Sequence, residues 1–223
     1  MLGVGFLQVL EAVKKLNSEL IIVSGRSVTW GYFFLTHFPL NTAILEGGGV
    51  ILWKDEKGLI QHDILVDEKT RNELNFAFDS LITYLPEVKI AADTQGRITD
   101  RALEYYHLSE GEKERLVSFL KKSKLNHTIS SVHLNCWLGE ISKFKAVDYY
   151  LNNHRRGFKK EDCLYFGDAP NDESMFQFFP NSVGVSNLRQ YLHVLKHPPR
   201  TILEGDHHAY VDGVLSYLKG LNS

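Results

Sequence analysis

The segment Asp162–Val185 constrains the fold more strongly than any other part of the chain. Its apolar run Cys163–Phe166 stops at Gly167 and Asp168, and this pattern predicts a buried strand that opens into a loop. Pro170 favours the first turn of a helix. An apolar stripe follows at helical spacing, formed by Met175, Phe176 and Phe179. The segment is therefore predicted to form a strand, an acidic loop and a helix.

Asp168 and Asp172 stand four residues apart around this loop. Two carboxylates placed in this way can converge on one point, and Mg2+ is commonly held by one or two carboxylates together with waters and a substrate phosphate. The alternative is structural, because Asp168 can cap the helix and Asp172 can complement its dipole. For an isolated D-x-x-x-D pair we favour the structural alternative.

A second candidate site lies near the N-terminus, after an amphipathic helical pattern over residues 5–16. The run Glu19–Val23 is rich in Ile and Val, predicts a strand of a parallel sheet, and ends in Ser24 and Gly25. A hydroxyl at a strand end, beside a glycine whose backbone a ligand can approach, can bind a phosphate oxygen. The alternative is a helix cap for the predicted helix Val28–His37.

Together these motifs resemble those of the haloacid dehalogenase superfamily. The string G-D-A-P-N-D-E-S-M resembles the superfamily's last motif, G-D-x-x-N-D-x-x-M, and I-I-V-S-G-R-S resembles its second motif, V-T-G-R, with Ser24 in the phosphate-binding place. T-A-I-L-E-G-G-G-V-I-L resembles the I-x-x-N-G-A element of subfamily IIB, with Gly47 in place of the usual Asn. Lys143 matches the third motif, K-G-x-A-V, although Phe144 replaces Gly, and Lys145 is an alternative candidate.

The alternating strands and helices predict an α/β fold, a doubly wound parallel, Rossmann-like core with an inserted α+β cap domain. We assign residues 1–65 and 140–223 to the core and residues 66–139 to the cap. The resemblance implies a Mg2+-dependent phosphohydrolase that acts on a phosphorylated sugar or a similar small metabolite. It also implies roles for individual residues: catalysis by Lys143 and Ser24, phosphate binding by Ser24, Gly25, Lys143 and Asn171, and metal binding by Asp168 and Asp172.

Within the predicted cap, helices are expected at Glu68–Tyr84 and Ser109–Lys122, and strands near Lys89–Ala92 and at Thr128–Trp137. Its candidate substrate-binding residues are Arg97, Asp100, His133 and Asn135. Alternation along the last strand places Ser131, His133, Asn135 and Trp137 on one face. This polar face suits a hydroxyl-rich or charged ligand, and a solvated sheet face is the alternative.

The family's first motif, D-x-D-x-T on the first core strand, supplies the nucleophile and the general acid, and no D-x-D occurs in these 223 residues. Three hypotheses therefore compete: a phosphatase whose given sequence starts too late, a catalytically dead relative that binds a phosphorylated ligand or partner, and a non-catalytic structural protein. The missing strand would lie between the strands that end at Ser24 and Asp168. We expect these strands to pair directly, or Leu2–Phe6 or a second chain to replace it.

The bulk composition is that of an ordinary soluble globular protein, with 43% hydrophobic residues, 23% charged residues and a net charge of −2. Because basic residues occur at most in pairs, we expect no nucleic-acid or membrane partner. Cys136 and Cys163 show no metal-ligand spacing, which indicates a reducing compartment and a cytoplasmic location. His207 and His208 beside two Asp residues form a weak candidate metal cluster. A homodimer is possible.

Overall fold

The structure is a computed structural model that describes residues 4–129, 133–205 and 210–221. In chain order its elements are α1 (Val4–Lys15), β1 (Ile21–Val23), α2 (Val28–His37), β2 (Thr42–Leu45), β3 (Val50–Lys54), β4 (Ile60–Ile64), α3 (Glu68–Tyr84), β5 (Arg101–Leu103), α4 (Glu110–Lys122), β6 (Asn126–Ile129), β7 (Leu134–Trp137), α5 (Lys143–His154), β8 (Tyr165–Gly167), α6 (Glu173–Phe178), β9 (Ser182–Gly184), β10 (Thr201–Ile202) and α7 (Tyr210–Leu221). Short 3₁₀ helices connect several of them.

The chain divides into two compact units. The first comprises Met1–Ile21, Pro39–Asn41 and Val147–Ser223, and the second comprises Ile22–Phe38 and Thr42–Ala146. The predicted assignment of residues 1–65 and 140–223 to a core and residues 66–139 to a cap stays a prediction.

A three-stranded parallel sheet organises the first unit, in the order β10-β9-β8. The helices α1 and α7 pack together beside it through an apolar cluster that includes Val9, Val13, Leu215 and Leu218. Leu164 and Phe166, at the start of the acidic segment, pack against the same cluster. The apolar run before Asp168 therefore anchors the acidic loop on the core of this unit.

The second unit contains a four-stranded sheet in the order β1-β2-β3-β4, in which β2, β3 and β4 pair antiparallel. The helix α2 packs on this sheet, and its Gly31 is required there because a Cβ atom would come within 2.7 Å of Leu45 Cδ2. The shared apolar cluster contains Val28, Leu35, Ala43, Leu45, Val50 and Leu52. Ser24 and Gly25 thus leave the edge strand β1 beside the fully buried strand β2.

The same unit holds a second sheet, in the antiparallel order β5-β7-β6. Helices α3 and α4 bury their apolar stripes in the cluster that lines this sheet, formed by Leu74, Phe78, Leu81, Leu85, Leu116 and Leu120 together with Leu103, Leu134 and Cys136. Asp67 caps α3 by accepting from the Thr70 N–H, and Ser109 and Glu112 form a capping box at α4. Both helices confirm their prediction from sequence.

Several predicted elements are wrong in detail. The predicted single strand Thr128–Trp137 is divided between two antiparallel strands, β6 and β7, and residues 130–132 lie outside the described residues. The predicted strand Lys89–Ala92 is reduced to an isolated bridge between Ile90 and Leu103, while the strand β5 was not predicted. A three-residue strand is too short for a recognisable alternation.

After β9, residues Ser186–Val194 form a 3₁₀ helix. The alternative in which Leu2–Phe6 forms a substitute strand is also wrong, because Val4–Phe6 belongs to α1. Val9, Ala12 and Val13 give α1 a helical stripe that is buried against α7. The strand before Ser24 is β1, which pairs with β2, and the strand before Asp168 is β8, which pairs with β9. The strand pairs of the described residues do not include a pair of β1 with β8.

The α/β class is confirmed by the alternation of strands and helices and by the parallel pairing of β8, β9 and β10. Across the described ranges, no helix combines the length and the apolar character that crossing a membrane requires.

Candidate functional site

The turn that begins at Ser24 carries two of the predicted phosphate-binding residues, Ser24 and Gly25. Ser24 is tied to β2 by its N–H, which donates to Ile44 O at 2.8 Å. The Ser24 Oγ accepts from the Arg26 N–H at 3.2 Å and keeps its own hydrogen for donation. A Cβ atom at Gly25 would meet nothing within 4 Å, so a ligand can approach the backbone of the turn there.

The segment Glu46–Gly48 brings two predicted site residues to one place. The Gly47 N–H donates to Ser24 O at 3.1 Å. Gly48 has φ 109°. A Cβ atom there would lie 2.4 Å from the backbone oxygen of Ser142 and 3.0 Å from the backbone nitrogen of Lys143. Only glycine permits both this backbone conformation and this close approach. The start of α5, which carries Lys143, therefore packs on the turn that contacts Ser24.

Of the two candidate lysines, Lys143 is the first residue of α5 and is half-buried. Lys145 is exposed and forms an ion pair with Glu140. Gly48 packs against the backbone of residues 142 and 143. The choice between the two lysines stays a prediction.

The acidic loop folds around the side chain of Asp172, which is only 3% exposed. Its Oδ2 accepts from the Asp168 N–H at 3.0 Å and the Ala169 N–H at 3.3 Å, and its Oδ1 accepts from the Tyr165 hydroxyl at 2.7 Å. Asp172 thus turns back towards the start of the loop, while Asp168 and Asn171 are exposed. The two carboxylates have different surroundings: one is enclosed by donors and the other reaches the surface.

Sequence reasoning missed Tyr165, whose hydroxyl is a partner of Asp172. Burial raises the pKa of Tyr165 well above its usual value, and the charge of Asp172 adds to this rise. The hydroxyl therefore remains a proton donor to the carboxylate. The sequence feature that could have indicated this contact is a tyrosine, with its polar hydroxyl, in an otherwise apolar strand that ends at an acidic loop.

The carboxylate side chains of this loop are of the type that binds Mg2+. This ion takes hard oxygen ligands, and waters and phosphate oxygens complete its coordination. Asp168 and Asp172 are the residues that would hold it. In the part of the chain that the structure describes, no group of three or more His, Cys, Asp or Glu side chains could enclose a metal ion. His207, His208 and Asp206 lie outside the described residues.

Three of the four candidate substrate-binding residues of the predicted cap are buried and bonded to each other. Arg97 donates to both carboxylate oxygens of Asp100 at 2.8 Å, and Asn135 Nδ2 donates to Asp100 Oδ2 at 2.9 Å. His133 lies apart, with Nε2 at 3.4 Å from Glu104 Oε1. A ligand that reached Arg97 or Asp100 would have to displace contacts inside the protein. Ser131 lies outside the described residues.

Sequence reasoning also missed Glu46, which is 1% exposed and adopts φ 53°, a left-handed conformation that non-glycine residues rarely take. Its carboxylate accepts from the Val28 N–H at 3.1 Å and from the Thr99 N–H and hydroxyl at 2.6 and 2.8 Å. A buried carboxylate that retains hydrogen bonds in this way fixes the segments that donate to it. The available signal was a charged residue between an apolar strand and three glycines.

Ser24, Gly25 and Lys143 belong to one compact unit, and Asp168, Asn171 and Asp172 belong to the other. Each half is organised as described above. The convergence of both halves on one phosphate group stays a prediction.

Comparisons with known proteins agree with this organisation. Residues 109–194 match the family of haloacid dehalogenase-like hydrolases. A comparison with curated protein sequences gives no significant match. Among solved structures, a protein from Thermoplasma acidophilum aligns with a TM-score of 0.72 at 13% identity, over 96% of this chain and 88% of that chain.

Two further solved structures are phosphatases by name. A sugar phosphatase of haloacid dehalogenase subclass IIB aligns with a TM-score of 0.67 at 12% identity, over 99% of this chain and 92% of that chain. A trehalose-6-phosphate phosphatase related protein aligns with a TM-score of 0.60 at 14% identity, over 98% and 86%. The resemblance seen in the sequence is thereby confirmed: residues 109–194 match the model of the haloacid dehalogenase-like hydrolases, and the chain has the α/β fold with a Rossmann-like core seen in the subclass IIB sugar phosphatase.

Proposed function

We propose that this chain provides the phosphate-binding and Mg2+-binding parts of a phosphohydrolase of subfamily IIB type. The observation that carries the proposal is the turn at Ser24, whose hydroxyl is oriented by the Arg26 N–H and whose neighbour Gly25 is open to a ligand. The packing of residues 142 and 143 on Gly48 supports Lys143 as the cation that accompanies this turn.

Within this proposal, each residue has a defined task. The Ser24 hydroxyl and the backbone at Gly25 donate to phosphate oxygens, and Lys143 neutralises part of their charge. Asp168 and Asp172 hold Mg2+, which when bound supplies electrostatic stabilisation for phosphoryl transfer. Asn171, exposed on the same loop, contributes an amide that can donate to the substrate.

The substrate class is inferred from the solved structures with this fold, which include a sugar phosphatase and a trehalose-6-phosphate phosphatase related protein. We propose a phosphorylated sugar or a similar small metabolite, handled in the cytoplasm. A hydroxyl-rich ligand needs polar groups that can form hydrogen bonds with it. We propose that His133 and Glu104, a partly buried pair on the predicted cap, are such groups.

The absence of D-x-D from these residues favours a second candidate, a protein that binds a phosphorylated ligand without hydrolysing it. Both candidates share the phosphate site and differ in turnover. In the mechanism that the resemblance implies, an aspartate of the D-x-D motif attacks phosphorus, the substrate alcohol leaves, and water then hydrolyses the aspartyl-phosphate; these residues contain no D-x-D.

The test is a pair of measurements on this polypeptide. Hydrolysis of p-nitrophenyl phosphate with and without Mg2+ is expected to stay at background. Titration calorimetry with inorganic phosphate in the presence of Mg2+ is expected to show saturable binding that Ser24→Ala weakens. Mg2+-dependent turnover that Asp168→Ala abolishes would show that this polypeptide has a nucleophile despite the absence of D-x-D. Absence of phosphate binding would contradict both candidate functions.

A further inference from the structure

The turn Ser24–Val28 is held by a segment that comes about seventy residues later in the chain. Arg97 Nη1 donates to Gly25 O at 3.1 Å, across 72 positions of sequence. The Arg97 side chain is only 1% exposed and is ion-paired to Asp93 at 2.9 Å and to Asp100 at 2.8 Å. A buried guanidinium with two carboxylate partners has few alternative positions, so it fixes the carbonyl to which it donates.

The other end of the same turn is held by the same distant segment. Glu46 accepts from the Val28 N–H and, with its second oxygen, from the Thr99 N–H and hydroxyl. Packing reinforces these bonds, because a Cβ atom at Gly96 would lie 2.5 Å from Thr29 Cγ2. Segment 96–99 therefore sits directly on the turn.

The bond to Gly25 O has a consequence for Ser24. The carbonyl of Gly25 and the N–H of Arg26 belong to one planar trans peptide unit and point in opposite directions. Since Arg97 fixes the carbonyl, it also fixes the Arg26 N–H, which donates to Ser24 Oγ at 3.2 Å. One lone pair of the Ser24 oxygen is thus directed at the Arg26 N–H, which limits the directions in which the hydroxyl hydrogen can donate.

We propose that Arg97 is a positioning residue that presets the Ser24 hydroxyl for phosphate through the Gly25–Arg26 peptide unit. This inference rests on the proposed phosphate-binding function and assigns Arg97 a role that differs from direct contact with a substrate. Direct contact would require the guanidinium, whose side chain is only 1% exposed, to give up bonds to Asp93 and Asp100.

The first arm of the test uses ¹⁵N-labelled full chain without ligand. In Arg97→Lys the buried positive charge is kept but the planar fork is lost, so the amide resonance of Arg26 should move, because its peptide carbonyl loses a donor. Arg101→Met is the matched control: Arg101 donates to the Arg97 and Asp100 carbonyls, within the same segment, and its described bonds do not reach the turn. In the control the Arg26 resonance should stay in place.

The second arm is titration of each variant with inorganic phosphate in the presence of Mg2+. We expect Arg97→Lys to weaken phosphate binding by about tenfold, the effect of losing roughly one charge-assisted hydrogen bond in the preset geometry. Arg101→Met should change it less than about twofold. Arg97→Met is a harsher variant that leaves two carboxylates unpaired, and if it does not fold, Arg97→Lys decides the question.

Wild-type phosphate affinity and an unmoved Arg26 resonance in folded Arg97→Lys would overturn the proposal. An equal loss of affinity in Arg101→Met would also overturn it, because the effect would then follow the segment as a whole. If the wild-type chain does not bind phosphate, the proposed function fails, and the Arg26 resonance in the ligand-free variants still decides whether Arg97 positions the turn.

Discussion

At the residue scale, the acidic loop depends on the hydrogen bond from Tyr165 to Asp172. Tyr165→Phe leaves a buried carboxylate oxygen without this donor. We expect a loss of about 1.5 to 3 kcal/mol in the free energy of unfolding, as for hydrogen bonds to charged groups, and weaker Mg2+ binding. Urea denaturation and calorimetric titration with Mg2+ measure the two effects.

The control for this variant is Tyr217→Phe, since the Tyr217 ring packs edge-on against Phe166 in the same unit. It removes a hydroxyl from a half-buried tyrosine away from the acidic loop. Its Mg2+ affinity should equal that of the wild type. Equal losses in both variants would mean that the hydroxyl of Tyr165 has no special part in shaping the loop.

A second residue-scale prediction concerns Asp100. Burial raises the pKa of Asp100 to about 6; the positive charge of Arg97 offsets part of this rise, and the negative charge of Glu46 adds a smaller one. Between its ordinary value of 3.8 and about 6, the folded state holds a proton that the unfolded state has lost, so the contribution of this group to stability falls as the pH rises through that window.

The measurement is urea denaturation of the wild type and Asp100→Asn from pH 4 to pH 7. The free energy of unfolding of the wild type, relative to the variant, should decrease as the pH rises towards about 6 and then level off, because Asn cannot titrate. A pH-independent difference between the two proteins would mean that Asp100 ionises at its ordinary pKa.

At the scale of elements, the turn between β2 and β3 joins the Ser24 turn to the start of α5. Gly48→Ala combines a left-handed backbone with a Cβ atom 2.4 Å from Ser142 O, so residues 142 and 143 would have to move. We expect destabilisation by more than about 2 kcal/mol and a loss of phosphate affinity, since Lys143 would move with them.

Gly58→Ala is the matched control for this variant. Gly58 also has a positive φ, 77°, but a Cβ atom there would meet nothing within 4 Å. It should lose about 1 kcal/mol from backbone strain alone and bind phosphate as the wild type does. Thermal unfolding and phosphate titration of both variants separate backbone strain from the close approach. Similar losses in the two variants would contradict the packing described for Gly48.

At the scale of the whole molecule, the predicted site needs residues from both compact units. If the Asp168 loop and the Ser24 turn bind one Mg2+–phosphate pair, the two ligands together should raise the melting temperature by more than the sum of their separate effects. Asp168→Asn should abolish this excess and leave the effect of phosphate alone. Differential scanning fluorimetry measures the shifts, and purely additive shifts in the wild type would show that the two halves bind independently.

The sequence by itself determined the elements that carry strong local signals. The helices α2 and α3 were predicted with their observed ends, since each has a defined start and an apolar stripe. The motifs around Lys143 and Asp168 lie in residues 109–194, which match the haloacid dehalogenase-like hydrolases, and each motif could be recognised because its residues are contiguous in the chain. Short strands such as β5 escaped prediction, since three residues carry no periodicity.

Only the tertiary structure decided which polar residues support the candidate site. Arg97 and Asp100 were predicted to face a ligand, and their burial against Asp93, Asn135 and Gly25 depends on contacts up to 72 positions apart. Glu46 carried almost no sequence signal, because its partners at Val28 and Thr99 are backbone and hydroxyl groups of distant segments. Hydrogen bonds of this kind join residues that are distant in sequence, so they produce no periodic pattern along the chain. Helices and motifs, in contrast, depend on residues that are close in sequence and can therefore be predicted from it.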